Sequence, residues 1–200
     1  MIGITGGIAS GKSVVSERLR RLGAVVLDAD VFSREALNPH TPGWEKVQLA
    51  FPSVMKSDGT IDRRLLGQII FADTNQRKIL EDIVHPEVLA RLQSEASTAE
   101  EAGRIVFADV PLLYEVGWDS FMAKVWVVYV EREIQLERLM KRAGISRAEA
   151  LQMVASQLSL ETKAERADVV IDNNGPLAAT WQQVDDLWKE LEHDDSIDRP

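Results

Sequence analysis

The residues with the clearest chemical meaning lie near the N-terminus, where residues 6–13 read Gly-Gly-Ile-Ala-Ser-Gly-Lys-Ser. This is the G-x-x-x-x-G-K-[ST] pattern of a phosphate-binding loop, whose backbone N–H groups surround a phosphate. Gly6 and Gly11 allow backbone angles and a close approach that a Cβ would block. Lys12 can reach the β- and γ-phosphates of a nucleoside triphosphate, and the Ser13 hydroxyl can bind Mg²⁺.

The residues around this loop support the same interpretation. A short apolar run at 1–5 precedes it and a helical pattern at 14–22 follows it, so a helix N-terminus would face the phosphates. The alternative, a glycine turn that caps a helix, gives no reason for a lysine and a serine after Gly11. We therefore predict that a nucleoside triphosphate is bound by nine consecutive residues: Gly6, Gly7, Ile8, Ala9, Ser10, Gly11, Lys12, Ser13 and Val14.

Composition excludes several classes of protein. The chain has 200 residues, 45% of them hydrophobic, which suits one domain with an inserted subdomain. A net charge of −9 argues against nonspecific nucleic-acid binding. Cysteine is absent, and no apolar run approaches the ~18 residues that span a bilayer. Because the first predicted strand begins at once, we expect no signal peptide. We expect a cytoplasmic monomer or weak homo-oligomer without membrane or nucleic-acid partners.

Hydrophobic patterning predicts an α/β fold. Five nearly continuous apolar runs, typical of parallel strands buried on both faces, lie at 1–5, 24–27, 105–108, 125–130 and 169–171. Helical patterns at 14–22, 134–142, 146–157 and 177–192 separate or follow them. This alternation predicts a doubly wound sheet with right-handed crossovers. The acidic stretch at 185–200 predicts a solvated, frayed end.

One connection is too long for a simple crossover. About 75 residues separate the second and third predicted strands, and a structureless loop of that length is implausible. Turn signals lie at Asn38-Pro39, Thr41-Pro42-Gly43 and Asp58-Gly59, and helical patterns lie at 62–71 and 75–97. We predict a helical insertion that holds a second substrate.

Two carboxylates follow the second predicted strand, in the run Leu27-Asp28-Ala29-Asp30. Phosphoryl transfer to a hydroxyl uses a carboxylate that accepts the hydroxyl proton. Residues i and i+2 of an extended strand share a face, so both carboxylates could address one space. We predict that Asp30 is the base and that Asp28 orients the substrate or metal-bound water. An alternative and compatible role for Asp30 is the N-cap of a helix that starts near Val31.

Further charged residues complete the candidate site. Asp109 ends the third predicted strand, where ligands bind in open α/β sheets, and we expect it to hold Mg²⁺ directly or through water. Alternatively, Asp109 is a helix-cap or loop carboxylate. Arg138 and Arg142 share one face of the helix after the fourth strand. We expect both to stabilise the γ-phosphate charge from a lid that closes after ATP binds, although a solvated helix face is the alternative.

In combination, these residues resemble the dephospho-coenzyme A kinase family from residue 1 to about 175. The matching pieces, in order, are Ile4-Thr5-Gly6-Gly7-Ile8, Leu27-Asp28-Ala29-Asp30, His85-Pro86, Asp109-Val110-Pro111-Leu112-Leu113 with Glu115, Arg138 to Arg142 with Gly144, Gln157, and the run from Ala167 to Asn173. Each piece is weak beside the phosphate loop, but their order and spacing together are specific.

The resemblance implies a reaction and a three-part build. ATP would donate its γ-phosphate to the ribose 3′-hydroxyl of dephospho-coenzyme A, giving coenzyme A and ADP. The implied fold is a P-loop kinase-type three-layer fold with a five-stranded parallel sheet. Its parts would be a nucleotide-binding core (1–31, 101–131 and 167–200), a helical acceptor domain (32–100) and a helical lid (132–166).

The resemblance also assigns residues. It places the base on Asp30 and the lid arginines on Arg138 and Arg142, and it adds His85 and Leu112 to Asp28 and Asp30 as substrate-binding residues. For His85, a core or helix-starting histidine is an equally good interpretation. Two other functions stay open: a kinase acting on a nucleoside or nucleoside monophosphate, and a non-enzymatic nucleotide-dependent regulatory protein.

Overall fold

The computed structural model describes residues 1–193, and its chain forms two compact units. The first unit contains Met1–Leu27 and the described chain from Ala96 onward, and the second is Asp28–Glu95. In the described part of the chain, none of the helices combines the length and apolar content that crossing a bilayer requires.

Five strands form one sheet, as predicted. They are β1 (Ile2–Gly6), β2 (Val25–Asp28), β3 (Val106–Asp109), β4 (Lys124–Tyr129) and β5 (Val169–Asp172), in the order β2-β3-β1-β4-β5. β1 pairs in parallel with β3 and β4, and β4 pairs in parallel with β5. β3 therefore lies between β1 and β2, so the second strand is not the direct neighbour of the strand that enters the phosphate loop.

Within residues 1–193 the chain forms nine α-helices. They are α1 (Lys12–Leu22), α2 (Ala29–Glu35), α3 (Pro42–Ala50), α4 (Arg63–Ala72), α5 (Thr74–Glu101), α6 (Arg132–Ala143), α7 (Arg147–Ala155), α8 (Leu160–Glu165) and α9 (Leu177–His193). All six helical patterns of the sequence correspond to helices, with ends shifted by a few residues. α3 and α8 were not predicted as helices.

The helix α3 begins where the sequence predicted only a turn. The Thr41 hydroxyl accepts a hydrogen bond from the Trp44 N–H (3.2 Å), and Pro42 occupies the first turn. Proline is favoured there because the first N–H groups of a helix have no partner within it. Thr41-Pro42-Gly43 is therefore a helix start.

The main core of the first unit lies where α1 and α9 pack against the sheet. Ile4, Phe107 and Trp126 of the strands meet Leu19 of α1 and Trp188 of α9. An ion pair between Arg18 and Asp185 joins the same two helices, and its hydrogen bonds lower the pKa of Asp185.

The prediction of a frayed C-terminal end is therefore wrong for residues 185–193. Asp185 to His193 lie within α9 and contribute Trp188 and Leu191 to the core. The remainder of that prediction concerns residues 194–200, which lie outside the described residues.

Candidate active site

The phosphate loop joins β1 to α1 with Gly6 as the last residue of β1 and Lys12 as the first residue of α1. Gly11 has a φ of +92°, a left-handed conformation that favours glycine. A Cβ on Gly11 would also overlap the side-chain amide of Asn173. Both the backbone angle and the lack of space therefore require glycine at this position.

The loop carries the features that a triphosphate needs. The Ser10 N–H donates to the Gly7 carbonyl (3.1 Å) and closes the turn. Because α1 begins at Lys12, the loop lies at the N-terminus of this helix, where the helix dipole adds partial positive charge. Ser13 lies in this first turn and is exposed. The loop therefore fits an anionic ligand.

Lys12 and Asp109, predicted from separate motifs, are in direct contact. The Lys12 ammonium forms an ion pair with Asp109 Oδ1, and the Ser16 hydroxyl donates to Asp109 Oδ2 (2.6 Å). The side chain of Asp109 is only 7% exposed, and the residue pairs with Ile4 of β1. Asp109 is thus a buried strand residue and not a cap or loop carboxylate. It lies beside β1, the strand that enters the phosphate loop.

Arg138 also lies at the loop. Its guanidinium donates to the Asn173 carbonyl (2.9 Å), and its Nη1 is 3.9 Å from the position of a Cβ on Gly11. Arg142 lies one turn further along α6 and is exposed. The structure therefore brings together the loop, Lys12, Asp109 and Arg138.

Asp28 and Asp30 do not have the geometry that the sequence predicted. Asp28 ends β2 and is the N-cap of α2, where its Oδ1 accepts hydrogen bonds from the N–H groups of Asp30 (2.9 Å) and Val31 (3.1 Å). Asp30 lies in the first turn of α2 and is exposed. The prediction of a shared strand face is therefore wrong, and Asp28 rather than Asp30 caps the helix.

The two other predicted substrate-binding residues occupy different elements. His85 is half-buried in the middle of α5, one residue before Pro86, so its interpretation as a helix-starting residue is wrong. Leu112 follows β3 in the first unit and is 40% exposed. Their contacts with a substrate stay predictions.

The sequence did not assign a role at the loop to several buried polar residues. Asn173 is buried, and its Nδ2 donates to the Ser10 carbonyl (2.7 Å) while its Oδ1 accepts from Thr180 (2.8 Å). Ser16 and Gln135 are also buried polar residues. The sequence could have indicated that Ser16 and Gln135 are buried, because each is next to the apolar stripe of its helix. A buried polar side chain needs a hydrogen-bond partner, so both were candidates for contacts within the site.

Replacing Gly11 by alanine should destabilise the fold more than the same change at Gly144. Both glycines have positive φ, which costs a Cβ-bearing residue about 1–2 kcal/mol. Only at Gly11 would the new Cβ also meet the Asn173 amide, whereas nothing lies within 4 Å at Gly144. Chemical denaturation of both variants measures the difference, and equal losses would contradict a role for Asn173 packing.

The parallel sheet and the phosphate loop between β1 and α1 define a P-loop kinase-type fold. A solved shikimate kinase from Bacteroides thetaiotaomicron superposes with a TM-score of 0.52, covering 96% of this chain and 97% of its own. At 15% identity, that likeness shows the fold alone.

The sequence comparisons are more specific than the fold. The CoaE family, described as dephospho-CoA kinase, matches residues 1–179. A dephospho-CoA kinase of Symbiobacterium thermophilum is 48% identical, over 94% of this chain and 80% of its own. The solved dephospho-CoA kinase from Campylobacter jejuni is 30% identical, with a TM-score of 0.74 over 95% of this chain and 96% of its own. The chain belongs to the dephospho-CoA kinase family, ATP-dependent transferases that act in the last step of coenzyme A biosynthesis.

Proposed function

We propose that this protein transfers the γ-phosphate of ATP to the ribose 3′-hydroxyl of dephospho-coenzyme A. The observation that carries the proposal is the cluster of Lys12, Asp109 and Arg138 around a phosphate loop, in a chain of this family. A phosphate loop by itself indicates a nucleotide and not a reaction. The surrounding cations and carboxylates supply what phosphoryl transfer uses.

The donor half of the site is assigned to the first unit. The loop from Gly6 to Val14 holds the triphosphate, and Lys12 spans the β- and γ-phosphates. Ser13 and Asp109 offer oxygen ligands, which are the donors that Mg²⁺ prefers. When bound, Mg²⁺ neutralises part of the phosphate charge. The direct contact between Lys12 and Asp109 supports placing both side chains at the triphosphate site.

The acceptor half is assigned to the helical insertion together with Asp28, Asp30 and Leu112, which lie outside it. We assign residues 32–100 to the acceptor domain, 132–166 to the lid, and 1–31, 101–131 and 167–200 to the core. Asp30 is the base, Asp28 orients the acceptor or metal-bound water, and His85 and Leu112 contact the acceptor. The exposed carboxylate of Asp30 in a capped first turn supports the assignment, because it is accessible and its backbone is fixed.

Removing either lid arginine should lower kcat. Arg138→Ala and Arg142→Ala each take one cation from the transferring phosphate, which typically costs about 10²-fold. The matched control is Lys141→Ala, because Lys141 is exposed on the same helix between them. Steady-state ADP release measures the effect. If Arg142→Ala behaves like the Lys141 control, Arg142 belongs to a solvated helix face.

A panel of acceptors tests the assigned substrate. ADP release would be measured by a coupled assay with dephospho-coenzyme A, adenosine, AMP and shikimate in turn. Dephospho-coenzyme A should give the highest kcat/KM. Severalfold faster turnover of adenosine or a nucleoside monophosphate would overturn the assignment. ATP binding without transfer to any acceptor would instead favour a regulatory protein.

We also propose that the protein acts in the cytoplasm, where ATP is available, as a monomer or weak homo-oligomer with small-molecule partners only. Its net charge of −9 supports the absence of a nucleic-acid partner. Light scattering at micromolar concentration measures the oligomeric state.

A further inference from the structure

One peptide segment of the phosphate loop is held from both sides by glutamine side chains. The Ile8 N–H donates to Gln157 Oε1 (2.8 Å), and the Ile8 carbonyl accepts from Gln135 Nε2 (2.7 Å). Gln135 lies on α6 with only 4% of its surface exposed, and Gln157 follows α7 and is half-buried. Gly7 makes this approach possible, because a Cβ there would lie 2.7 Å from Gln135 Nε2.

These two hydrogen bonds fix the direction of two successive peptide planes. In a trans peptide, the carbonyl and the N–H point in opposite directions. Gln157 holds the Ile8 N–H, so the Gly7 carbonyl of the same peptide faces the opposite way and accepts the Ser10 N–H. Gln135 holds the Ile8 carbonyl, so the Ala9 N–H of the next peptide points away from α6.

The backbone at Ala9 has an unfavourable conformation, which other contacts must stabilise. Its φ is +58°, which is unfavourable for a residue with a Cβ. Ile8 and Ala9 also pack against an apolar cluster of α6 and α7 that contains Leu136, Leu139 and Ala150. Side-chain packing and both glutamines thus favour the same loop conformation, in which successive N–H groups can line a concave anion site.

We propose that Gln135 and Gln157 are positioning residues that hold the phosphate loop in its triphosphate-binding conformation. The proposal rests on the proposed ATP site. Neither side chain needs to touch the nucleotide, because each acts through the main chain of Ile8. Since both glutamines belong to the segment 132–166, the base of the assigned lid is also the support of the loop.

The two glutamines have opposite hydrogen-bonding roles, which allows a matched test. Gln157 accepts, and glutamate can also accept, so Gln157→Glu keeps the bond to the Ile8 N–H. Gln135 donates, and ionised glutamate cannot, so Gln135→Glu loses its bond. Both substitutions add one negative charge next to Ile8. Gln135→Met and Gln157→Met remove each bond without adding charge, and Gln152→Glu and Gln152→Met on the exposed face of α7 are the controls.

Calorimetric titration with a non-transferable Mg·ATP analogue, without acceptor, measures the Kd of each variant. We expect each methionine variant to raise the Kd about tenfold, the effect of one hydrogen bond at the upper end of the usual range. Gln135→Glu should bind at least about tenfold more weakly than Gln157→Glu. In turnover, KM for ATP should rise while KM for dephospho-coenzyme A stays within twofold.

Two results would overturn the proposal. One is equal nucleotide affinity for Gln135→Glu and Gln157→Glu, and the other is methionine variants that bind like the Gln152 controls. If Gln135→Glu does not fold, as judged by circular dichroism, the two Gln157 variants provide the test. Gln157→Glu should then bind the nucleotide analogue more tightly than Gln157→Met, and equal Kd values would overturn the proposal. Because binding is measured without acceptor, a wild-type protein that makes no coenzyme A would reject the proposed function and leave this comparison intact.

Discussion

Replacing Lys12 by alanine should lower kcat for coenzyme A formation by about 10²–10³-fold, the cost of losing one preorganised charge-stabilising group. Lys12 is the loop residue assigned to the β- and γ-phosphates, where negative charge has to be stabilised during transfer. KM for dephospho-coenzyme A should change little, because the acceptor is assigned to other residues. Steady-state ADP release with saturating acceptor measures the loss.

The same substitution has a structural effect that must be separated from catalysis. Removing Lys12 leaves the Asp109 carboxylate, only 7% exposed, without its cation, and breaking a buried pair in this way is destabilising. The double variant Lys12→Ala/Asp109→Asn removes the unpaired charge of Asp109. Chemical denaturation should therefore show a higher stability than for Lys12→Ala, whereas turnover should stay as low as in that single variant. Unchanged turnover in Lys12→Ala would remove the phosphate loop from the mechanism.

Asp30→Asn should lower kcat by about 10²–10⁴-fold, the usual contribution of a general base. The amide has the shape of the carboxylate but cannot accept the proton of the ribose hydroxyl, so both substrates should still bind. Asp30 is exposed in the first turn of α2 and its side chain does not cap the helix. The folded structure should therefore tolerate the change.

Asp82→Asn is the matched control for this prediction, because Asp82 is an exposed helical aspartate of the same unit. It should turn over at the wild-type rate. Single-turnover kinetics with both substrates prebound separate transfer from binding. A near-normal rate in Asp30→Asn would mean that another group accepts the proton.

The sheet and the phosphate loop were predictable because their signals are local. Five apolar runs gave five strands, and the loop sequence lies between the first strand and the first helix. The start of α3 was missed because Thr41-Pro42-Gly43 suits both a turn and a capped helix. Asp28 and Asp30 were misplaced because β2 ends at Asp28 and the helix begins at once, so a two-residue spacing no longer means a shared face.

The contacts around the loop could not be predicted, because they join residues that are distant in the chain. Lys12 and Asp109 are 97 residues apart, and Ile8 is 149 residues from Gln157 and 127 from Gln135. No periodic pattern within one helix or strand identifies such pairs. Strand order decides the first pair, since β3 lies next to β1.

The identity of the product tests the central claim most directly. The protein would be incubated with Mg²⁺, dephospho-coenzyme A and ATP labelled in its γ-phosphate, and the labelled product would be located by phosphorus NMR and chromatography. The account predicts one labelled product, coenzyme A, with the phosphate on the ribose 3′-oxygen and one ADP released for each molecule formed. Label on the 2′-oxygen, on another acceptor or only in free phosphate would contradict it.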